Sequence, residues 1–150
     1  MTSEPELLLR EAREEDLEQI CSMEQGEARE FIIPWSPQRH RSEFANPDVV
    51  YKTLWLDDEL AGFLILILDP DGKSIEFRRI VMSRPGRGYG KSAVRMVGKL
   101  CRTELGRRRI WLDVFEANDR ARHVYESCGY RQFGRTEYEG RTLLLYEITE

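Results

Sequence analysis

The chain of 150 residues divides into apolar runs and amphipathic stretches that are separated by turn residues. Short apolar or alternating runs predict strands, and apolar residues spaced three and four apart predict helices. The predicted elements, in chain order, are a strand over 7–12, a helix over 14–25, a less regular stretch over 26–48, a hairpin over 49–69, a strand over 73–82, a helix over 93–106, a strand over 107–118, a short helix over 119–130 and two strands over 130–139 and 141–149. This order predicts one α/β (α+β) domain over residues 1–150, with a mixed sheet of about six to seven strands and helices on both faces.

A glycine-rich segment, SRPGRGYGKS (83–92), connects the strand that ends at Met82 to the following helix. Backbone N–H groups converge in such a turn, and the positive end of the helix dipole points the same way. The segment therefore predicts a ligand that carries a phosphate or a pyrophosphate.

Two common phosphate-binding patterns fit this segment incompletely. The P-loop pattern GxxxxGK[ST] finds Gly90, Lys91 and Ser92, but Pro85 occupies the position of its first Gly. The dinucleotide pattern GxGxx[GA] fits GYGKSA (88–93), and Asp113 lies where a ribose-binding acid belongs. Only about 35 residues follow Asp113, too few for the remainder of a doubly wound sheet.

The stretch 75–130 as a whole resembles the GNAT superfamily of acetyl-CoA-dependent N-acetyltransferases. PGRGYG (85–90) matches the pyrophosphate motif [QR]xxGx[GA] of that family, except that Pro85 replaces Gln or Arg and so removes a backbone donor and a polar side chain. The run WLDVFEANDRARHVYESCGY (111–130) is similar to the branch that includes ribosomal-protein N-terminal acetyltransferases. The resemblance implies a GNAT-like domain that transfers an acetyl group from acetyl-CoA to a primary amine in a direct ternary complex.

The same resemblance assigns cofactor-binding residues. The backbone of Val81 and Met82 is expected to run beside the pantetheine arm, at a bulge that opens the sheet, and Asn118 to contact the cofactor. Asn118 also fits a helix N-cap, and the two roles are compatible. The pyrophosphate is expected to lie on the segment 87–92, formed by Arg87, Gly88, Tyr89, Gly90, Lys91 and Ser92.

Acyl transfer to an amine requires an acid for the departing thiolate and a base for the amine. By resemblance, Tyr125 is the acid, although its helical spacing also fits a core aromatic residue. Glu76 is the predicted base, because strand alternation would place it on one face with Arg78, Ile80 and Met82. The competing interpretation of Glu76 is an ordinary salt bridge, for instance with Arg78 or Arg131.

The acceptor is expected to contact the segment FIIPWSPQRHRSEF (31–44), with Trp35 and also Arg78 as substrate-binding residues. Arg39, His40 and Arg41 are positioned to meet an acidic acceptor, or else to face solvent while 31–33 pack in the core. Protein N-termini, polyamines, amino acids and antibiotics all remain open as acceptors. So do transfer of another acyl group, such as succinyl, and a non-catalytic CoA-binding regulatory module.

Composition bears on the partners and on the location of the protein. The net charge of −4 argues against a general nucleic-acid binder. Three cysteines in apolar patterns predict buried free thiols in a reducing compartment. The absence of a signal-like N-terminus and of a long apolar run predicts a cytoplasmic protein without a membrane partner. No metal ligand set is expected, and a homodimer is a further expectation.

Overall fold

Apolar alternation along the chain produces one central sheet in the computed structural model, which describes residues 6–83 and 87–149. The strands within these residues are β1 (Leu7–Glu11), β2 (Val49–Leu56), β3 (Glu59–Leu68), β4 (Ser74–Met82), β5 (Arg109–Phe115), β6 (Arg131–Tyr138) and β7 (Arg141–Thr149). Their order in the sheet is β1-β2-β3-β4-β5-β7-β6, and β4 pairs with β5 in parallel while the other neighbours are antiparallel. The predicted fold class and strand number are confirmed.

Four α-helices in the described residues cover the two faces of this sheet. They are α1 (Leu17–Glu24), α2 (Pro37–Phe44), α3 (Tyr89–Thr103) and α4 (Asp119–Ser127), with 3-10 turns at Glu14–Asp16 and Glu27–Glu30. One apolar core lies between the sheet and α3 with α4, and a second lies between the sheet and α1 with α2. None of these helices is long and apolar enough to cross a membrane.

Helix α2 lies in the stretch 26–48, which the sequence predicts to be less regular, and this helix was not predicted. The Ser36 hydroxyl caps the helix by accepting a hydrogen bond from the backbone N–H of Arg39 (3.1 Å), and Pro37 occupies the first helical position. Ser followed by Pro is a helix-start signal, because the cap satisfies a free N–H and Pro has none to satisfy. The prolines of this stretch therefore mark a helix boundary as well as interruptions.

The helix that follows the glycine-rich segment begins earlier than predicted. Gly88, with a φ of 78°, is the N-cap, so α3 begins at Tyr89 and takes in residues assigned to the turn. At its other end α3 stops at Thr103, and Gly106 adopts a φ of 64° just beyond. Gly106 terminates this region as predicted, since left-handed backbone favours glycine.

A bulge in β4 reverses the faces of that strand. Ile65 of β3 pairs with Arg79, but the next residue of β3 pairs with Phe77, so Arg78 has no partner on β3. Before the bulge, Phe77 faces the core under α3 and α4, whereas after it Val81 faces the core under α1 and α2. An extra residue changes which side chains share a face, because strand side chains alternate with a period of two.

This reversal corrects the predicted surroundings of Glu76. Glu76 pairs with Ile67, which packs in the core under α1 and α2, so Glu76 lies on the same face as Arg79 and Val81. Ile80 and Met82, expected beside it, pack against the opposite core.

Strands β4 and β5 separate halfway along their length. Their parallel pairing extends only from Ser74 with Arg109 to Glu76 with Trp111. Beyond that point the side of β4 that faces β5 has no strand partner among the described residues. The sheet therefore opens in its middle, and this gap positions the site described below.

Gly62 is required where β3 approaches the end of β4. A Cβ at this position would overlap the carbonyl oxygen of Val81 and lie 2.9 Å from Met82 Sδ. We expect Gly62→Ala to lower the free energy of unfolding by about 1–3 kcal/mol, the usual cost of overpacking, in chemical denaturation. Gly26→Ala is the control, because its Cβ would meet only the Met23 carbonyl at 3.4 Å. Equal stability of the two variants would contradict the close approach.

Candidate active site

A cavity of about 210 Å³ occupies the gap between β4 and β5. The strands contribute Phe77–Ile80 and Asp113–Phe115, and α4 contributes Asn118, Ala121 and Tyr125. The segment 31–33, which precedes α2, forms another wall of the cavity. Residues from distant parts of the sequence, including the predicted acid, thus line one opening in the sheet.

The N-terminus of α3 lacks the caps that helices normally have. Its first intrahelical bond runs from the Ser92 N–H to the Gly88 carbonyl (3.1 Å), which leaves the N–H groups of residues 89–91 without an intrahelical acceptor. No side chain caps the helix, and no acidic residue lies in its first turn, among the described residues. An anion is the group that such an end of a helix binds best.

The two glycines of this segment leave room for such an anion. A Cβ at Gly88 or Gly90 would meet no neighbouring atom of the described residues within 4 Å, so these residues leave space at the start of the helix. Arg87 and Ser92 are exposed, while the Tyr89 side chain is buried and leaves only its backbone N–H for a ligand. These residues fit the pyrophosphate of CoA. Pro85, the departure from the family motif, lies outside the described residues.

The end of β4 determines which backbone groups face the gap. The Ser83 N–H donates to the Ala61 carbonyl (2.8 Å), and antiparallel ladders direct alternate residues toward the same neighbour. The backbone of Val81 is therefore directed toward β3, and the backbone of Met82 toward the gap. Of the two residues predicted to line the pantetheine arm, Met82 is the better placed, and neither contact has been tested.

Tyr125 lies in the apolar core and also lines the cavity. Its ring packs edge-on against Phe77 and tilted against Tyr130, with 8% of the residue exposed. Its hydroxyl has no hydrogen-bond partner among the described residues. Burial, and secondarily the charge of Asp113, raise the pKa of the phenol, which keeps it protonated at neutral pH. Tyr125 thus retains a proton that it can donate into the cavity.

Asn118 caps α4, as one of its two predicted roles requires. Its Oδ1 accepts a hydrogen bond from the Ala121 N–H (3.3 Å). The residue also lines the cavity, so capping places its amide beside the space for a ligand. A contact with the cofactor remains a prediction.

Asp113 is the carboxylate that lines the cavity. Within the described part of the chain, this side chain has no hydrogen bond and no ion pair. Burial raises the pKa of Asp113, while Arg78 and Arg79 oppose that effect. The sequence suggested Asp113 only as a ribose-binding acid and gave no expectation that it lines the same cavity as Tyr125, twelve residues further along the chain.

Glu76, the predicted base, forms a salt bridge with Arg78 (Oε2 to Nη1, 3.3 Å). This is the competing interpretation that the sequence left open. Burial raises the pKa of Glu76, and the salt bridge to Arg78 acts in the opposite direction. Glu76 is not among the residues that line the cavity.

The acceptor wall differs from the expected one. Trp35 is buried at 4% exposure in the core under α1 and α2, and His40 is fully buried, so neither reaches an acceptor directly. Phe31, Ile32 and Ile33 line the cavity instead. Arg78 lines it as well, as expected of a substrate-binding residue, although its role there remains a prediction.

The family model described as Acetyltransferase (GNAT) family matches residues 15–130, well over half of the chain. The chain belongs to the GNAT acetyltransferase family. Family membership confirms the predicted enzyme class and acetyl-CoA as the acetyl donor. It does not distinguish the ribosomal-protein N-terminal acetyltransferase branch from others.

Individual acetyltransferases resemble this chain in sequence or in fold. An uncharacterized N-acetyltransferase in the pepI 3′ region of Lactobacillus delbrueckii subsp. lactis is 32% identical over 99 residues, which span 61% of this chain and 57% of that protein. The spermidine N-acetyltransferase of Vibrio cholerae, solved with CoA and spermine, superimposes with a TM-score of 0.83 at 19% identity over 95% of each chain. A putative phosphinothricin N-acetyltransferase superimposes with a TM-score of 0.82 at 18% identity over 96% of this chain and 98% of that chain.

Proposed function

We propose that this protein transfers the acetyl group of acetyl-CoA to a primary amine in the cavity between β4 and β5. The observation that carries the proposal is that Tyr125 and Asp113 line the same cavity. Neither side chain has a hydrogen bond or an ion pair with another described residue. A protonated phenol and a free carboxylate are the acid and the base that acyl transfer to an amine needs.

The uncapped N-terminus of α3 is the proposed binding site for acetyl-CoA, the acetyl donor. The N–H groups of residues 89–91 would bind the pyrophosphate, and Arg87 and Lys91 would add charge-assisted contacts. Bound there, acetyl-CoA supplies the acetyl group as a thioester. Asn118 would contact the same ligand beside α4.

Two proton movements complete the proposed reaction. Asp113 accepts a proton from the protonated amine, whose nitrogen then forms a bond to the carbonyl carbon of the thioester. Tyr125 donates its proton to the sulfur when the carbon–sulfur bond breaks, and its oxygen takes the proton that the nitrogen loses as the amide forms. The products are an amide and a free thiol, and Asp113 releases its proton to solvent. Glu76 is the alternative base. Because it does not line the cavity, it would act through a water molecule.

The acceptor we propose is the amine of a small molecule or of a protein N-terminus. The sequence resemblance to ribosomal-protein N-terminal acetyltransferases favours a peptide, and the spermidine N-acetyltransferase of similar fold favours a polyamine. An N-terminal peptide and spermidine are therefore the first acceptors to test. A cytoplasmic location and a homodimer remain predictions.

Ligand binding tests the proposal without an acceptor. Acetyl-CoA should raise the melting temperature, because a ligand at 100 times its dissociation constant adds about 2.7 kcal/mol to the free energy of unfolding. NADH and ATP should have little effect on the melting temperature. Gly90→Val should weaken this effect by filling the open space before α3. Gly98→Val, the same change further along α3, is the matched control. Stabilisation by NADH or ATP but not by acetyl-CoA would refute the proposal.

Turnover is then measured as thiol release with a panel of amines, using acetyl-CoA and succinyl-CoA in parallel. Amine-dependent release from acetyl-CoA is the expected result. Preference for succinyl-CoA would reassign the acyl group. Binding of acetyl-CoA without turnover of any amine would instead support a regulatory module.

A further inference from the structure

A buried cluster of charged and polar side chains lies directly behind the cavity wall. It consists of Glu24 from the end of α1, His40 from α2, Tyr51 from β2 and Arg79 from β4. Glu24 and His40 have no exposed surface, and Arg79 is 6% exposed. None of the first three lines the cavity, so the reaction proposed above gives them no role.

Glu24 is the centre of this cluster, because its carboxylate accepts three hydrogen bonds. The donors are the backbone N–H of Trp35 (3.2 Å), Nε2 of His40 (2.6 Å) and the guanidinium of Arg79. Donation from Nε2 leaves Nδ1 of a neutral His40 to accept from the Tyr51 hydroxyl (2.8 Å). Burial raises the pKa of the Glu24 carboxyl, but the hydrogen bonds from His40 and Arg79 and the positive charge of Arg79 outweigh it, so the pKa is lowered.

The cluster holds the wall segment 31–35 at two points. Arg79 Nη2 donates to the carbonyl of Ile33 (2.7 Å), and the Trp35 N–H donates to Glu24. The guanidinium of Arg79 also lies over the Trp35 ring, 5.0 Å from its centroid. The residues 31–33 also line the cavity, so these hydrogen bonds connect the cluster to the cavity wall.

Stability alone does not account for such a cluster. Replacing a buried ion pair by apolar side chains of similar volume is often neutral or stabilising, because desolvation offsets the attraction between the charges. Apolar packing, however, supplies no acceptor for the Trp35 N–H and no donor for the Ile33 carbonyl.

We propose that Glu24 is a positioning residue that, through Arg79 and the Trp35 N–H, fixes the segment 31–35 as the acceptor side of the cavity. This inference rests on the proposed acetyl transfer for its kinetic consequence, though not for its structural one. Glu24 contacts no reacting atom, so it acts only through the wall that it holds.

The test replaces both charges at once with Glu24→Leu/Arg79→Met in the full chain, which avoids an uncompensated buried charge. Amide hydrogen exchange over 31–37 should become faster, while the dissociation constant of acetyl-CoA stays within twofold of the wild-type value. The acceptor kcat/KM should fall by about 10²-fold, the scale expected of a displaced substrate contact. Tyr51→Phe is the control, because it removes a hydrogen bond of the cluster but leaves both anchors of the wall.

Three results would overturn the inference. The first is unchanged hydrogen exchange over 31–37 in the double variant. The second is the same rise in exchange and the same fall in acceptor kcat/KM in Tyr51→Phe. The third is a loss of acetyl-CoA affinity in the double variant together with the loss of acceptor turnover. If the wild-type protein acetylates no amine, the acetyl transfer proposal fails, and hydrogen exchange alone still decides whether Glu24 positions the wall.

Discussion

Tyr125→Phe should reduce turnover by about 10²–10⁴-fold while the protein stays folded and still binds acetyl-CoA. The phenyl ring keeps its packing against Phe77 and Tyr130. The hydroxyl that is lost has no partner among the described residues, so its removal leaves no unsatisfied group behind. The raised pKa of Tyr125 keeps its hydroxyl protonated across the neutral range, whereas Phe has no proton to give.

Tyr130→Phe is a matched control for this experiment. Tyr130 is another buried tyrosine of the same core, its hydroxyl has no hydrogen-bond partner in the part of the chain that the structure describes, and it does not line the cavity. Its replacement should leave turnover within about threefold of the wild-type value, well below the usual contribution of an acid or base. Equal losses in the two variants, or a loss under threefold in Tyr125→Phe, would return Tyr125 to a purely structural role.

Asp113→Asn should remove the acidic limb of the pH–rate profile and lower turnover at neutral pH by about 10²–10⁴-fold. A base must be deprotonated to act, so the wild-type rate should rise as the pH passes through the raised pKa of Asp113. The Asn variant should recover only where rising pH deprotonates the free amine itself. Glu76→Gln should keep the wild-type limb if its carboxylate serves only to pair with Arg78.

If Glu76→Gln loses the acidic limb of the pH–rate profile and Asp113→Asn keeps it, Glu76 is the base.

The stability of the folded protein provides a second readout for Asp113 that does not depend on turnover. The pKa of Asp113 is raised in the folded state, so the wild-type protein loses stability as the pH rises from the unfolded value of 3.8 through the folded one. Asp113→Asn should therefore raise the melting temperature at neutral pH, and this gain should shrink below pH 3.8.

Strands with regular alternation and turns with Asp or Gly were predictable, because each depends on a few neighbouring residues. The family resemblance implied a bulge on this strand, but beside Val81 and Met82, and the bulge at Arg78 was missed. Its sign in SIEFRRIVM is that the apolar positions shift from 75 and 77 to 80 and 82 across the adjacent Arg78 and Arg79. The predicted face of Glu76 was wrong for this reason alone. Helix α2 had a readable signal in Ser36 and Pro37, which was interpreted as an interruption.

The positions of Tyr125 at the cavity and of Gly88 and Gly90 at the start of α3 were predictable, because family motifs fix their spacing. Asp113 lies within the same motif region but was assigned to another pattern. The cluster around Glu24 depends on four elements that meet only in the folded chain, and its nearest members in sequence are 11 residues apart. Single residues such as Glu24 and His40 give no local sign that they are paired.

The extra residue in β4 gives the strand one position that can be lost without moving any other side chain to a new layer. With Arg78 deleted, the pairs of Leu66 with Phe77 and of Ile65 with Arg79 would become consecutive, so Arg79 would still face Glu24. Such a deletion would remove only the side chain that lines the cavity and pairs with Glu76. Deletion of a paired residue such as Ile80 would instead exchange the two layers for the rest of the strand, because strand side chains alternate with a period of two.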